Sequence, residues 1–210
     1  MCSKRAIDRS TGGDWRHEAA LWTAAVATGT ASVWRRLPLV VLTACLIAPA
    51  AMPAAEPAVE VTLVDHEGVL AAVAARRGTV VVLDCWSTSC PPCLKEFPGL
   101  VALQKRYGER VVCMSLSFDF EGLDPVEKVL PRVRKVLADL GAQGVVNMLS
   151  SEEADVLYGK LDLTSVPAVY VWKADGSLGR RFDDDDAAKT LGRPFTYADV
   201  EQTVRQLLDE

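Results

Sequence analysis

The strongest constraint on the fold is a cysteine pair between a strand pattern and a helix pattern. Residues 79–85 form a nearly continuous β-branched run, and Cys90-Pro-Pro-Cys93 follows a few residues later. Such a run is typical of a strand that is buried on both faces. Pro91 suits the first position of a helix, where its missing N–H is not needed. The sequence therefore predicts a buried strand that leads through a short turn into a helix starting at the cysteines.

The chain from residue 59 onward alternates between strand and helix patterns, which is typical of an α/β layer fold. Asp175-Gly176 predicts a turn, so the last two strands should form an antiparallel hairpin. We expect residues 183–186, four consecutive aspartates, to be a solvated loop. The predicted strands are 59–64, 79–85, 110–118, 145–149, 166–172 and 178–182, and the predicted helices are 67–77, 90–107, 125–140, 152–160 and 196–208.

The N-terminal quarter has the pattern of an export signal. Arg35 and Arg36 precede residues 37–50, which carry no charged side chain. The apolar run is shorter than the about 20 residues of a membrane-spanning helix, which favours a cleaved or lipidated signal. Leu42-Thr43-Ala44-Cys45 is similar to a bacterial lipobox, so Cys45 is a candidate lipidation site. Residues 1–36 are longer than an ordinary n-region, which indicates a misassigned start.

Four segments follow from these patterns: a pre-sequence with n-region at 1–36, a signal or lipoprotein region at 37–50, a proline- and alanine-rich linker at 51–58, and a folded domain at 59–210. Export would place the domain where disulfides persist. The chain has a formal net charge of −5, and its basic residues are scattered. Nucleic acid is therefore not an expected partner.

Cys90 and Cys93 lie on one face of the first helical turn, close enough for a disulfide. At the helix start the Cys90 sulfur faces free backbone N–H groups and the positive end of the helix dipole, which stabilise a thiolate nucleophile. Cys93 is then the resolving thiol. The alternatives are an inert disulfide or a zinc or copper site. Zinc takes four ligands, and the domain adds only His66, Cys85 and Cys113.

Three segments carry a resemblance to the thioredoxin superfamily. Its active-site segment is similar to Asp84-Cys85-Trp86-Ser87-Thr88-Ser89-Cys90-Pro91-Pro92-Cys93, and its TlpA/ResA-like branch resembles residues 90–98, Cys-Pro-Pro-Cys-Leu-Lys-Glu-Phe-Pro. Ser165-Val166-Pro167 resembles its cis-proline loop. The resemblance covers residues 59–210 and implies a three-layer fold, a central mixed sheet flanked by helices. It also implies an inserted helix and strand between about 120 and 150.

The resemblance also implies roles for single residues. Asp84 would be a buried carboxyl that accepts the Cys93 proton, and burial would raise its pKa. Glu96 matches the TlpA/ResA-like glutamate and would tune thiol titration. Pro167 would be cis, so that the backbone before it can bind a client peptide. The alternatives are a strand-end aspartate, a solvated glutamate and a trans proline.

The substrate-binding surface is predicted to contain Trp86, Pro91, Pro92 and Val166, with Trp86 alternatively a core residue. Ser89 departs from the tryptophan that the family commonly has before its first cysteine. Cys85 and Cys113 are expected in the core, and a disulfide between them is left open.

The predicted function is an exported thiol-disulfide oxidoreductase, periplasmic or membrane-anchored through its N-terminus. It needs no metal and no cofactor besides the Cys90–Cys93 disulfide. Its partners are client protein thiols, with apocytochrome c one candidate, and an upstream membrane electron donor. Because Pro92 lacks an N–H that would stabilise the thiolate, a reductant is favoured. The alternatives are a thiol peroxidase and a copper-binding or copper-delivery module.

Overall fold

The computed structural model describes residues 58–210. The predictions for the segments 1–36 and 37–50, for nearly all of the linker and for Cys45 lie outside the described residues. Within residues 58–210, no helix is both long enough and apolar enough to span a membrane. The strands and helices in chain order are β1 (Val61–Val64), α1 (His66–Ala74), β2 (Val80–Trp86), α2 (Pro91–Tyr107), β3 (Val111–Ser117), α3 (Val126–Asp139), β4 (Val146–Ser150), α4 (Ala154–Lys160), β5 (Ala168–Trp172), β6 (Leu178–Phe182), α5 (Asp184–Thr190) and α6 (Tyr197–Leu208).

The strands form one mixed sheet in the order β1-β4-β3-β2-β5-β6. The first four strands of that order are mutually parallel, whereas β5 is antiparallel to β2 and β6 is antiparallel to β5. The predicted hairpin around Asp175-Gly176 is therefore confirmed. Every residue of β2 is buried, because β2 has a neighbour on each side and a packed layer on each face.

The side chains of β2 alternate between two apolar layers. Val80, Val82 and Trp86 pack with buried residues of α2, α3 and α6. Val81, Leu83 and Cys85 pack with buried residues of α1 and α4 on the other face. The predicted three-layer α/β fold is confirmed, and α3 with β4 forms the predicted insertion between about 120 and 150.

The sequence did not show whether Cys85 and Cys113 can form a disulfide, because this depends on which strands are neighbours and on their register. Cys85 and Cys113 lie on the neighbouring strands β2 and β3, and both are free and buried. In the register Cys85 is opposite Leu116 and Cys113 is opposite Val82. Since the two cysteines belong to different apolar layers, they cannot form the disulfide that was left open.

The acidic run at residues 183–186 is not the solvated loop that we expected. Asp183 is the N-cap of α5, and its carboxylate accepts the N–H of Asp186 at 2.7 Å. The following aspartates lie in the first turn, where negative charge stabilises a helix. The run forms a helix start for this reason.

Candidate active site

Cys90 and Cys93 form a disulfide with Cα atoms 5.3 Å apart. Cys90 is the N-cap of α2, and Pro91 and Pro92 occupy its first two positions, so that Pro91 is at the first position, as predicted. The backbone N–H of Cys93 donates to Cys90 Sγ over 3.2 Å. Cys90 is 9% exposed and lines a surface cavity, whereas Cys93 is 2% exposed and does not line it. Cys90 is therefore the sulfur that a partner can approach.

The loop before β5 lies against this disulfide. The Val166–Pro167 peptide bond is cis, which confirms the geometry predicted from the resemblance. The carbonyl oxygen of Val166 lies 3.7 Å from Cys90 Sγ. A free backbone carbonyl beside the reactive sulfur can pair with an extended peptide.

Asp84 lies on β2 and is 3% exposed. Its Oδ2 accepts a hydrogen bond from the hydroxyl of Tyr197. Burial raises the pKa of Asp84 from 3.8 to about 7; the Tyr197 hydrogen bond lowers this pKa, and the nearby charge of Glu96 raises it. A carboxyl with a pKa near neutral can accept a proton and return it at physiological pH.

Tyr197 connects Asp84 and Glu96, the two carboxylates predicted from the resemblance. Its backbone N–H donates to Glu96 Oε2 at 3.3 Å, while its hydroxyl reaches Asp84. Burial, followed by the charge of Asp84, raises the pKa of Tyr197 well above its ordinary value, so the phenol stays a hydrogen-bond donor. A β carbon on Gly99 would lie 2.3 Å from Tyr197 Cβ, so this contact between α2 and α6 requires glycine.

Sequence reasoning missed Tyr197. The residue is separated from Asp84 by 113 positions, and only the packing of α6 against β2 and α2 brings it to the site. The one available signal was the predicted helix at residues 196–208, which placed Tyr197 near a helix start but did not predict its contacts.

The predicted substrate-binding role of Trp86 is wrong. Its side chain is fully buried and packs edge-on against Phe97, with ring centroids 5.2 Å apart. The alternation of β2 places Trp86 under α2 rather than at the surface. The other three residues of that predicted surface, Pro91, Pro92 and Val166, do line the cavity beside Cys90.

The cavity beside Cys90 has a volume of about 700 Å³ and is open to solvent. Phe118 and Tyr158 form part of its apolar wall. Its charged lining residues are all acidic, namely Glu121, Glu153 and Asp155. Sequence reasoning missed these three, because the loop after β3 and the start of α4 meet only in the folded domain.

Comparisons with known proteins give a similarity in fold. No protein-family model matches the chain. Over 42 residues the chain is 36% identical to thioredoxin-like protein YneN of Bacillus subtilis (strain 168), a match that spans 20% of this chain and only 25% of the relative's length.

Several solved structures are similar to the chain. Thioredoxin-like superfamily protein SPOA0173 has a TM-score of 0.50 at 15% identity, over 66% of this chain and 85% of that one. A secreted Mycobacterium tuberculosis disulfide oxidoreductase homologous to E. coli DsbE has a TM-score of 0.48 at 16% identity, over 64% and 86%. The exposed lipoprotein thioredoxin Etrx1 of Streptococcus pneumoniae strain TIGR4 has a TM-score of 0.48 at 16% identity, over 64% of this chain and 90% of that one. By its sheet order and its similarity to SPOA0173, this chain has a thioredoxin-like fold, with the Cys90–Cys93 disulfide at the start of the helix that follows its central strand.

Proposed function

We propose that this protein is a thiol-disulfide oxidoreductase that exchanges its Cys90–Cys93 disulfide with the thiols and disulfides of client proteins. One observation carries the proposal: Cys90 Sγ lines an open cavity beside the Val166 carbonyl, whereas Cys93 is covered. This difference in access supports Cys90 as the attacking sulfur and Cys93 as the resolving one.

The exchange proceeds in two steps when the protein acts as a reductant. The Cys90 thiolate attacks one sulfur of a client disulfide, that S–S bond breaks, and one client thiolate leaves. The Cys93 thiolate then attacks Cys90 Sγ, which breaks the mixed disulfide and releases the second client thiolate. Two electrons pass to the client, and the Cys90–Cys93 disulfide re-forms. The cysteine pair carries these electrons without a further cofactor.

Asp84 serves the second step in this proposal. Cys93 must lose its proton before it attacks, and an ionised Asp84 on the same face of the sheet accepts that proton. The pKa of about 7 that burial gives Asp84 leaves a substantial ionised fraction near neutral pH. Tyr197 and Glu96 tune this acceptor through the contacts described above.

We also propose that the net direction is reduction of clients. The Cys93 N–H donates to Cys90 Sγ, whereas Pro91 and Pro92 have no N–H to offer. Because fewer amide N–H groups donate to the Cys90 thiolate, the reduced form is stabilised less relative to the disulfide. The reduction potential is therefore lower. A reductant of this kind requires an upstream electron donor, for which we propose a membrane protein.

We propose an extracytoplasmic location, with the domain either released or anchored through the N-terminus. The support is the order of Arg35, Arg36 and the uncharged residues 37–50, with Cys45 as the alternative lipid attachment site. The mass and N-terminal sequence of the protein isolated from its host distinguish a cleaved signal from a lipidated Cys45.

Insulin reduction tests the function directly. The wild-type protein should accelerate insulin precipitation with dithiothreitol, and Cys90→Ser should abolish the acceleration. Cys93→Ser should accumulate mixed disulfides, and recovering these from the native host identifies the clients. Cys85→Ala is the matched control, because Cys85 is a buried free cysteine in the apolar layer on the other face of the sheet from the pair. If iodoacetamide labels Cys93 and spares Cys90 in the reduced protein, the assigned roles are reversed.

A further inference from the structure

Asp119 is a buried carboxylate that the proposed reaction does not use. It follows β3, and its side chain is 1% exposed. Its two oxygens accept the backbone N–H of Thr88 at 3.1 and 3.0 Å, and Oδ1 also accepts the Thr88 hydroxyl. The hydroxyl of Ser117 donates to Oδ2 at 2.6 Å, and Arg132 Nη2 donates to Oδ1 at 3.2 Å. These donors replace the water that the carboxylate has lost.

The hydrogen bonds of Asp119 continue toward the reactive cysteine. Thr88 is the middle residue of the pre-cysteine loop, residues 87–89, which joins β2 to α2. The Ser89 N–H donates to Ser87 Oγ at 3.1 Å, and the Ser87 and Ser89 hydroxyls lie 2.8 Å apart. The Cys90 N–H donates to the Ser87 carbonyl oxygen at 3.1 Å. The loop held by Asp119 therefore directly precedes the cysteine and fixes its backbone N–H.

We propose that Asp119 is a positioning residue for Cys90, a role that rests on the proposed function. By holding the pre-cysteine loop, it keeps Cys90 in the N-cap conformation, with Sγ on the Cys93 N–H and beside the Val166 carbonyl. Arg132 lies on α3, so the inserted helix supports the reactive cysteine through the same carboxylate.

This role accounts for a feature of the sequence that the function alone leaves unexplained. Ser89 stands where the resembled family commonly has a tryptophan. In this structure the loop is fixed by hydrogen bonds among Ser87, Thr88, Ser89 and Asp119. A polar loop of this kind needs a buried acceptor, and Asp119 is that acceptor.

The test changes a partner of Asp119 rather than Asp119 itself, because deleting the carboxylate would leave several buried donors unpaired. Thr88→Val removes one donor from the loop and preserves both side-chain size and the charge of Asp119. Ser117→Ala is the matched control, since it also removes one hydroxyl donor to Asp119 but lies outside the loop. Both variants are compared in the full chain below its unfolding temperature.

The readout is the rate at which iodoacetamide alkylates Cys90 in reduced Cys93→Ser protein at one fixed pH. Loss of the Thr88 hydroxyl bond to Asp119 should loosen the loop and weaken the hydrogen bond from the N–H at position 93 to the Cys90 thiolate. Thr88→Val should therefore react about threefold to tenfold more slowly. Ser117→Ala should react within about twofold of the parent. Mixed-disulfide formation with insulin should follow the same order.

Two results would overturn the assignment: an unchanged alkylation rate in folded Thr88→Val, or an equal loss of rate in Ser117→Ala. Either result would mean that Asp119 only stabilises the fold. The unfolding temperatures of both variants would then be lowered without a specific effect on Cys90. The alkylation rate does not depend on any client. If wild-type protein fails to reduce insulin, the proposed function fails, while the comparison of the two variants still tests Asp119.

Discussion

The hydroxyl of Tyr197 donates a hydrogen bond to the buried carboxylate of Asp84, across 113 positions of sequence. The backbone N–H of Tyr197 reaches Glu96, so β2, α2 and α6 bring two carboxylates and one phenol together. Burial and Glu96 favour neutral Asp84, while the hydrogen bond favours its ionised form. The balance of these effects gives Asp84 a pKa of about 7.

Tyr197→Phe should shift the pH dependence of the resolving step to higher pH. The change removes the hydrogen bond that lowers the Asp84 pKa, so less Asp84 is ionised at pH 7 and fewer Cys93 protons are accepted. A hydrogen bond to a charged group is worth roughly 1.5–3 kcal/mol, so a rate loss of about tenfold or more is expected. The measurement is client-thiol release from the mixed disulfide, followed by stopped flow from pH 5 to pH 9.

Tyr107→Phe is the control for this prediction. The Tyr107 hydroxyl donates to Glu201 Oε1 at 2.9 Å, so the variant also loses one tyrosine-to-carboxylate hydrogen bond, but outside the site. Its pH midpoint should match that of the wild type. In an Asp84→Asn background, Tyr197→Phe should have no further effect on the midpoint. An unshifted midpoint in Tyr197→Phe alone would refute the link between the phenol and Asp84.

Asp84→Asn should gain stability relative to the wild type, in the oxidised protein, as the pH rises. The folded pKa of Asp84 is raised from 3.8 to about 7, so its stabilising contribution is complete below pH 3.8 and is lost as the pH rises through 7. The stability advantage of Asp84→Asn should therefore grow by about 2–3 kcal/mol between pH 5 and pH 8. Urea unfolding at both pH values measures it. Asp139→Asn, at an exposed position, should show no such change.

The local features of the site could be predicted because their causes lie within a few residues. The N-cap role of Cys90 follows from Pro91 and Pro92 at the next two positions, and its hydrogen bond comes from Cys93, three residues away. The central position of β2 follows from its nearly continuous apolar run, which only Asp84 interrupts.

The features that sequence reasoning missed depend on contacts between distant elements. Thr88 and Asp119 are 31 positions apart, and they meet because β2 and β3 are neighbouring parallel strands whose ends coincide. Strand order and register cannot be derived from a single sequence. Trp86 is different, because the structure extends β2 by one residue to Trp86 and places it on the same face as Val80 and Val82. The alternation of a strand that included residue 86 would have predicted this buried position.

Gly99→Ala should destabilise the protein and disturb Tyr197 at the same time. The added methyl group would lie 2.3 Å from Tyr197 Cβ, so α2 and α6 must move apart. Overpacking of this kind costs about 1–3 kcal/mol. The displaced phenol should also shift the pH midpoint of the resolving step upward, as in Tyr197→Phe. Chemical unfolding and the stopped-flow profile test the two effects separately.

Gly159→Ala provides the matched control, since Gly159 lies in helix α4 with nothing within 4 Å of an added Cβ. Alanine is the better helix former, so this variant should gain about 0.5–1 kcal/mol. Its pH midpoint should stay at the wild-type value. If Gly99→Ala behaves like Gly159→Ala, then α2 and α6 do not approach each other as closely as the structure requires.

The reduction potential should rise when Pro92 is replaced by a residue that has an N–H. Pro92 is exposed and follows Pro91 at the second position of α2, where a backbone N–H would point toward the Cys90 sulfur. Pro92→Ala restores that donor, and Pro92→His adds an imidazole that is favourable to the thiolate when protonated. Both changes stabilise the dithiol form over the disulfide.

The size of the rise in reduction potential separates the contribution of the restored backbone N–H from that of the imidazole. For a two-electron couple about 30 mV corresponds to about 1.4 kcal/mol, so one added hydrogen bond to a thiolate should raise the potential by roughly 30–60 mV. Pro92→Ala should give most of this rise, and Pro92→His should exceed it increasingly below about pH 6.5, where histidine gains its proton. Equilibration with glutathione at pH 6 and pH 8 measures both variants. A potential that is unchanged or lower in Pro92→Ala would remove the physical basis for assigning this protein as a reductant.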